Sequence, residues 1–242
     1  LYLTNYGTAN RLYRNDGGVF LSIGVAAGVA DTGNGRHCCW VDYDNDADLD
    51  LWVTNYDNGI VTQNSRLYRN DGPDGLNPNG WLFVDVADAL LANDLGLGSS
   101  AGWADYDADG DLDMYFVNWN ADHPNKLVRN DLSSGADYLH LELAGRLSNA
   151  SAIGARVRVF TGTHTLVREI NGGEGYHGQN SLRAEFGLGM SAVIDSVVVE
   201  WPSGVVQTLD AVSANQLLEV VEPGPDAPVM AAEPAYTSGT TN

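Results

Sequence analysis

The sequence predicts an all-β chain, a partial β-propeller followed by a β-sandwich-like domain, and three observations predict it. Short runs of β-branched and aromatic residues alternate with Asn-Asp-Gly turns, the signature of strands and hairpins. The runs repeat: LYLTNY at 1, LWVTNY at 51 and MYFVNW at 114 align, as do RLYRND at 11, RLYRND at 66 and KLVRND at 126. After Asp131 the repeat stops, and seven runs of strand character follow in its place.

Each repeat unit reads as an apolar strand, an Asn-rich turn, the RLYRNDG turn and a further strand, Gly18–Ile23 or Trp81–Val86. A Gly/Ala-rich link and an aspartate loop then lead into the next unit. Several strands per unit of this size suggest propeller blades. Only about two units are present, against roughly 4–8 in a closed ring, so further N-terminal sequence is expected. Ala87–Leu95 is the one stretch that offers a short helical turn.

The repeat region is assigned to residues 1–132 and SSGAD at 133–137 reads as a linker. A second β domain spans 137–222, with strands in YLHLELAG, GARVRVF, HTLVREI, SLRAEFGLG, IDSVVVEW, VVQTL and QLLEVVE. Residues 223–242 are Pro/Ala/Thr-rich and read as a linker into a further module.

Hydrophobic residues make up 44% of the chain, which argues for packed cores rather than disorder. The net charge of −20, with Lys126 as the single lysine, argues against nucleic acid or an anionic membrane surface as partner. It favours cations. No run of 18 apolar residues offers a membrane span. Cys38 and Cys39 are adjacent, so a disulfide framework is absent, and they read as two small half-buried residues just before the first loop.

The chemistry lies in two loops. WVDYDNDADLDLWV places Asp42, Asp44, Asp46, Asp48 and Asp50 at every second position, and WADYDADGDLDM repeats the pattern with Asp105, Asp107, Asp109, Asp111 and Asp113. On a plain strand those carboxylates would share one face and repel. A loop whose oxygens converge on Ca²⁺ resolves the conflict, because calcium takes six to eight oxygen ligands in flexible geometry. The expected ligands are side chains at the first, third, fifth and ninth loop positions and a backbone carbonyl at the seventh, that of Asp48 or Asp111. Magnesium, which keeps its waters, fits less well. The loops are not EF-hands, because Val53 and Phe116 stand where the bidentate Glu belongs. Ala47 occupies the position of Gly110. If that position needs a positive φ, Ala costs on the order of 1 kcal/mol, and the first site is expected to be the weaker.

These loops, with the twice-used RLYRNDG, resemble the FG-GAP/VCBS repeats of integrin-α-like propellers, a resemblance that covers about 1–131 and implies Ca²⁺ held between propeller strands. The second half resembles an ASPIC/UnbV domain through SAIGARVRVF, REINGGEGYHGQN, FGLG, VVVEWPSGVVQTL and ANQLLEV. That layout implies a secreted or surface-exposed protein of adhesive or scaffold type, with no reaction to carry over. The tail from Pro225 resembles the first strand of a fibronectin-III-like domain.

Other candidates weigh less. Glu174 and His177 in GGEGYHGQN are an acid–base pair on paper, yet no nucleophile or orienting group accompanies them. His37 beside the first loop reads as a hydrogen-bonding residue rather than a calcium ligand. Trp40, Trp52, Trp103 and Trp119 flank the loops and read as blade core, with a carbohydrate-stacking surface as the alternative. Asn149-Ala150-Ser151 is a glycosylation sequon that matters only in a eukaryotic secretory host. The function expected is a non-catalytic, calcium-binding, extracellular or cell-surface interaction module that meets protein or carbohydrate ligands. The alternatives are a secreted carbohydrate-binding or carbohydrate-processing protein, and a structural spacer.

Overall fold

The computed structural model describes residues 1–56, 64–73, 81–90, 98–119, 122–132, 135–162, 164–190 and 193–224. Among these there is no helix, and the chain is all-β, with seventeen strands in five sheets. The turn at Ala87–Leu90 is closed by the Leu90 N–H on Val86 O at 3.1 Å, and 91–95 lie outside the described residues.

The repeats form three antiparallel meanders. The first is β1 (Tyr2–Leu3), β2 (Arg11–Asp16) and β3 (Val19–Ser22). The second is β4 (Gly35–Val41), β5 (Asp50–Asn55), β6 (Arg66–Pro73) and β7 (Trp81–Asp85). The third is β8 (Gly98–Ala104), β9 (Asp113–Asn118) and β10 (Lys126–Val128). The aligned motifs fall on equivalent strands, β1 with β5 and β9, and β2 with β6 and β10. Among the described residues the three sheets do not close into a ring.

β5 shows why the sheets stack. All six of its residues are buried. Successive side chains of a strand face opposite ways, and here both faces are covered. Leu51 and Val53 enter a core with Tyr2, Leu12, Ile23 and Phe83. Trp52 enters another with Leu67, Trp103 and Phe116. There its ring meets Trp103 and Phe116 edge-on, at 6.1 and 5.8 Å between centroids, the arrangement aromatic quadrupoles favour.

The RND motif has a division of labour set by the same alternation. Arg and Asp share a face and pair in all three copies: Arg14–Asp16 at 2.7 Å, Arg69–Asp71 at 2.6 Å and Arg129–Asp131 at 2.7 Å. These pairs are solvated and contribute little. In the second and third copies the intervening Asn reaches back to the aspartate loop.

The second half is β11 (Asp137–Ala144), β12 (Arg156–Thr161), β13 (Thr165–Glu169), β14 (Ala184–Gly189), β15 (Ile194–Glu200), β16 (Val206–Asp210) and β17 (Gln216–Val221). Asp137, placed in the linker by its sequence, opens β11. The sheets run β14-β11-β17 and β13-β12-β15-β16. They share one core, which includes Leu139, Leu141, Val157, Val159, Phe186, Val197 and Val199. Residues 225–242, with the fibronectin-like tail, lie outside the described residues.

Just after β17, Glu222 is fully buried, and its carboxylate accepts the N–H groups of Arg146, Leu147 and Ser148 at 2.7–2.8 Å and the hydroxyls of Ser148 and Ser203. Burial alone would raise its pKa, but these donors outweigh burial and hold it down at about 2. A depressed carboxylate stabilises the fold above its unfolded pKa, and that stability is lost as pH falls toward the folded value. Glu222→Ala strands five donors and is expected to cost on the order of 3 kcal/mol at neutral pH. Urea melts of wild type and variant should converge as pH falls from about 5 toward 2. A gap that does not change with pH would refute the role of the charge.

Candidate metal centres

Each aspartate loop joins the first two strands of its sheet, β4 to β5 and β8 to β9, with β4 and β8 at the edges. The loops curl because each places two residues in the left-handed region: Asn45 (φ 58°) and Ala47 (φ 78°) in the first, Ala108 (φ 63°) and Gly110 (φ 98°) in the second. The position that distinguishes Ala47 from Gly110 does require a positive φ. Each loop, however, holds one alanine in the left-handed region, Ala47 in the first and Ala108 in the second, so strain does not single out the first. Asn tolerates the conformation better than Ala, and the first loop has Asn45 where the second has Ala108. The Ala47/Gly110 difference has a packing reason too: Ala47 packs against the core of the second half, whereas a Cβ at Gly110 would collide with the Tyr138 ring.

The curl brings Asp42, Asp44 and Asp50 together, each offering an oxygen within 4.8 Å of the others, and Asp105, Asp107 and Asp113 form the matching set. Neither set includes Asp46, Asp48, Asp109 or Asp111. Asp46 Oδ1 accepts the Asp48 N–H at 2.9 Å, and Asp109 Oδ1 the Asp111 N–H at 3.0 Å. The fifth-position aspartates thus close turns within their own loops.

The ninth-position aspartates tie loop to strand. Asp50 accepts the Asn70 N–H at 2.8 Å and the Tyr43 N–H at 3.2 Å. Asp113 accepts the Asn130 N–H at 2.8 Å and the Tyr106 N–H at 3.0 Å. Asn70 and Asn130 are the Asn of RND, so the two repeated motifs are halves of one contact. Asn45 joins the loops to each other, donating to Gly110 O at 3.1 Å and Asp111 Oδ1 at 2.8 Å.

The electrostatics are unbalanced. Asp42 and Asp50 are at most 1% exposed. Both oxygens of Asp42 and one of Asp44 are buried without a hydrogen-bond partner. Burial pushes Asp42 up to about 7 despite Arg168, Asp44 to about 6 with help from Asp46, and Asp50 to about 9 despite its N–H donors. In the second loop burial also raises Asp111, to about 6, and Asp113. Orphaned, buried, mutually repelling carboxylates are a donor set made for a hard dication, so these residues fit Ca²⁺.

The second half leans on both loops through residues whose importance the sequence hid. The Gly189 N–H donates to Asn45 O at 2.8 Å, and a Cβ at Gly187 would strike Asn45 and Asp42. Arg168 is half-buried, with Nη2 3.8 Å from Asp42 Oδ2. His140 Nδ1 lies 3.4 Å from Asp105 Oδ2. Burial pushes His140 down to about 4 against the pull of Asp105, so it is neutral near pH 7. Arg168 lies in a motif noted for its glycines, and His140 was one histidine among several.

The remaining candidates separate. Glu174 is held by Asn171 and Asn180, both at 2.6 Å, while His177 is exposed and packs against Tyr176 at 4.4 Å. His37 is a buried β4 residue whose Nδ1 accepts the Ala101 N–H at 3.3 Å. Trp52 and Trp103 are core, Trp40 is half-buried, and Trp119 is 62% exposed.

Comparison with known proteins bears on the half that grips the loops. Residues 145–227 match the ASPIC and UnbV family. Over 190 residues the chain is 30% identical to cartilage acidic protein 1 of Homo sapiens, covering 75% of this chain and 27% of that protein. The Mus musculus protein of the same name is also 30% identical over 190 residues, with 28% of it covered. The chain thus spans about a quarter of the length of these curated relatives. Three-quarters of the chain cannot fit within 145–242, so the likeness extends from the ASPIC/UnbV region into the half that carries the loops.

The raised carboxylates give a signed expectation. Asp42, Asp44 and Asp50 hold protons in the metal-free fold at pH values where the unfolded chain, near 3.8, has lost them. Metal-free protein should therefore lose stability as pH rises from about 4 to about 9, most steeply below about 6, where all three contribute. Melts in chelator across that range check it; flat or rising stability would contradict the unbalanced burial.

Proposed function

We propose that this chain is a non-catalytic, calcium-stabilised interaction module of an extracellular or cell-surface protein, and that its repeats are FG-GAP/VCBS-type blades of a β-propeller. The observation that carries the proposal is the pair of equivalent carboxylate clusters, in which Asp42 and Asp44 bury oxygens without a hydrogen-bond partner.

Asp42, Asp44 and Asp50 would hold one Ca²⁺, and Asp105, Asp107 and Asp113 another. Asp46 and Asp109 would add side-chain oxygens, Asp48 and Asp111 backbone carbonyls. A bound ion supplies positive charge beyond what Arg168 and Arg129 bring at 3.8 Å from Asp42 and Asp107. The chain's own residues do the rest: Asp50 and Asp113 pin loop to strand, Asn45 pins loop to loop, and β14 closes over the first loop. The non-catalytic part of the reading is supported by Glu174 being engaged by Asn171 and Asn180, and His177 by the Tyr176 ring. Likeness to cartilage acidic protein 1 supports the extracellular setting, at the distance that 30% identity allows.

A thermal melt of metal-stripped protein decides the calcium reading. Calcium at about a hundredfold over its Kd should raise stability by about 2.7 kcal/mol per site, and magnesium far less. Asp44→Ala and Asp107→Ala should each remove one loop's share. No response to any cation would sink the proposal.

A second reading, a carbohydrate-binding surface, is favoured by one observation. Exposed Trp119 lies 6.5 Å from Tyr176, and the Arg36 guanidinium packs near both and 3.6 Å over Tyr56. Sugars stack on such faces. Intrinsic fluorescence should then shift with added oligosaccharide in wild type and not in Trp119→Ala; an identical response in both discards this reading.

A further inference from the structure

Away from the aspartate loops, β4 meets the 171–180 loop of the ASPIC/UnbV region and gathers donors of another kind. His37 and Cys39 are two residues apart on β4 and share a face. One ring nitrogen of His37, Sγ of Cys39 and a carboxylate oxygen of Glu174 lie within 4.8 Å of one another. His37 is 0% exposed and Cys39 3%. Nε2 of His37 has no hydrogen-bond partner despite that burial. A buried polar atom without a partner costs free energy, and such groups are rare enough to need a reason. Gly175 flanks this same edge of the ring, since a Cβ there would collide with His37 Cδ2 and come within 2.9 Å of Nε2.

We propose that His37, Cys39 and Glu174 form a binding site for a zinc-type transition-metal dication, separate from the aspartate loops and built from both halves of the chain. Imidazole, thiolate and carboxylate make a borderline-soft set that suits zinc and not calcium. Three protein ligands leave a fourth tetrahedral position for water. Glu174 is already oriented as ligating carboxylates are: Asn171 Nδ2 donates to Oε1 and Asn180 Nδ2 to Oε2, both at 2.6 Å. With metal–ligand bonds of about 2.0–2.3 Å, tetrahedral donors stand about 3.3–3.8 Å apart, so donors within 4.8 Å of one another need to close by at most about 1.5 Å on loading.

Two costs are visible. Burial pushes the Cys39 thiol up, so the incoming metal displaces its proton. Nδ1 of His37 accepts the Ala101 N–H at 3.3 Å. Ligation through Nε2 puts the ring proton on Nδ1 and gives up that bond, which is already at the long end of the range. The CC pair offers none of the spacing by which thiolate sites are recognised, and the third donor is far along the chain, so the sequence conceals this site.

The test is a cobalt titration of the full chain, reduced and with calcium in excess so that the aspartate loops are filled. Cobalt(II) stands in for zinc and reports thiolate ligation through a sulfur-to-metal charge-transfer band in the near ultraviolet. One equivalent should raise that band, and zinc should abolish it. Cys39→Ser should lose the band and Cys38→Ser keep it. Glu174→Gln, on a loop and partly exposed, should keep the band and weaken cobalt binding at least 10-fold. It also keeps the test open if Cys39→Ser fails to fold. The proposal is overturned if wild type shows no sulfur band, if the band follows Cys38, or if Glu174→Gln binds cobalt as wild type does.

Discussion

Like charge, buried, is the constraint around which this chain is organised. Two nine-residue loops carry five carboxylates each, and the fold withdraws Asp42, Asp50, Asp105 and Asp113 almost wholly from water. Repulsion and desolvation both oppose that arrangement. The surrounding structure is arranged to supply what the loops lack: N–H donors from Asn70 and Asn130, the Arg168 guanidinium, and left-handed turns that aim the oxygens together. RND follows as the strand-side half of each loop, and the ASPIC/UnbV region as its outer wall.

Much of this was legible in the sequence, for identifiable reasons. Strands show because period two and turn residues are local signals, and all seven runs expected after Asp131 became β11–β17. The aspartate loops show because alternation of one charged residue is conspicuous. The left-handed position at Ala47 was readable from its alignment with Gly110, since backbone conformation leaves a residue-type trace. Ala108, two residues before Gly110, carries a comparable burden in the second loop, which no alignment with a glycine marks.

What stayed hidden depends on contacts between distant segments. Nothing local marks His140 as the neighbour of Asp105, or Arg168 as that of Asp42. A histidine in an alternating strand and an arginine before a glycine-rich turn are ordinary residues until the sheets are stacked. The same holds for Glu222, whose five donors come from the segments around Arg146 and Ser203. Sequence reading also assigned the halves as successive domains. The hydrogen bonds and ion pairs between β14, β11, β13 and the loops make them one polar seam.

The double burial of β5 has a consequence for how such a chain diverges. Most strands have a wet face on which substitutions accumulate without penalty. DLWVTN has none, because Leu51 and Val53 are enclosed on one side, Trp52 on the other, and Asp50 closes the loop. Over evolutionary time its six positions should drift slowest in the repeat half, while the exposed face of β3, Val19–Ser22, is free to change. A strand closed on both faces thus leaves its sequence few viable alternatives, where a one-faced strand leaves many.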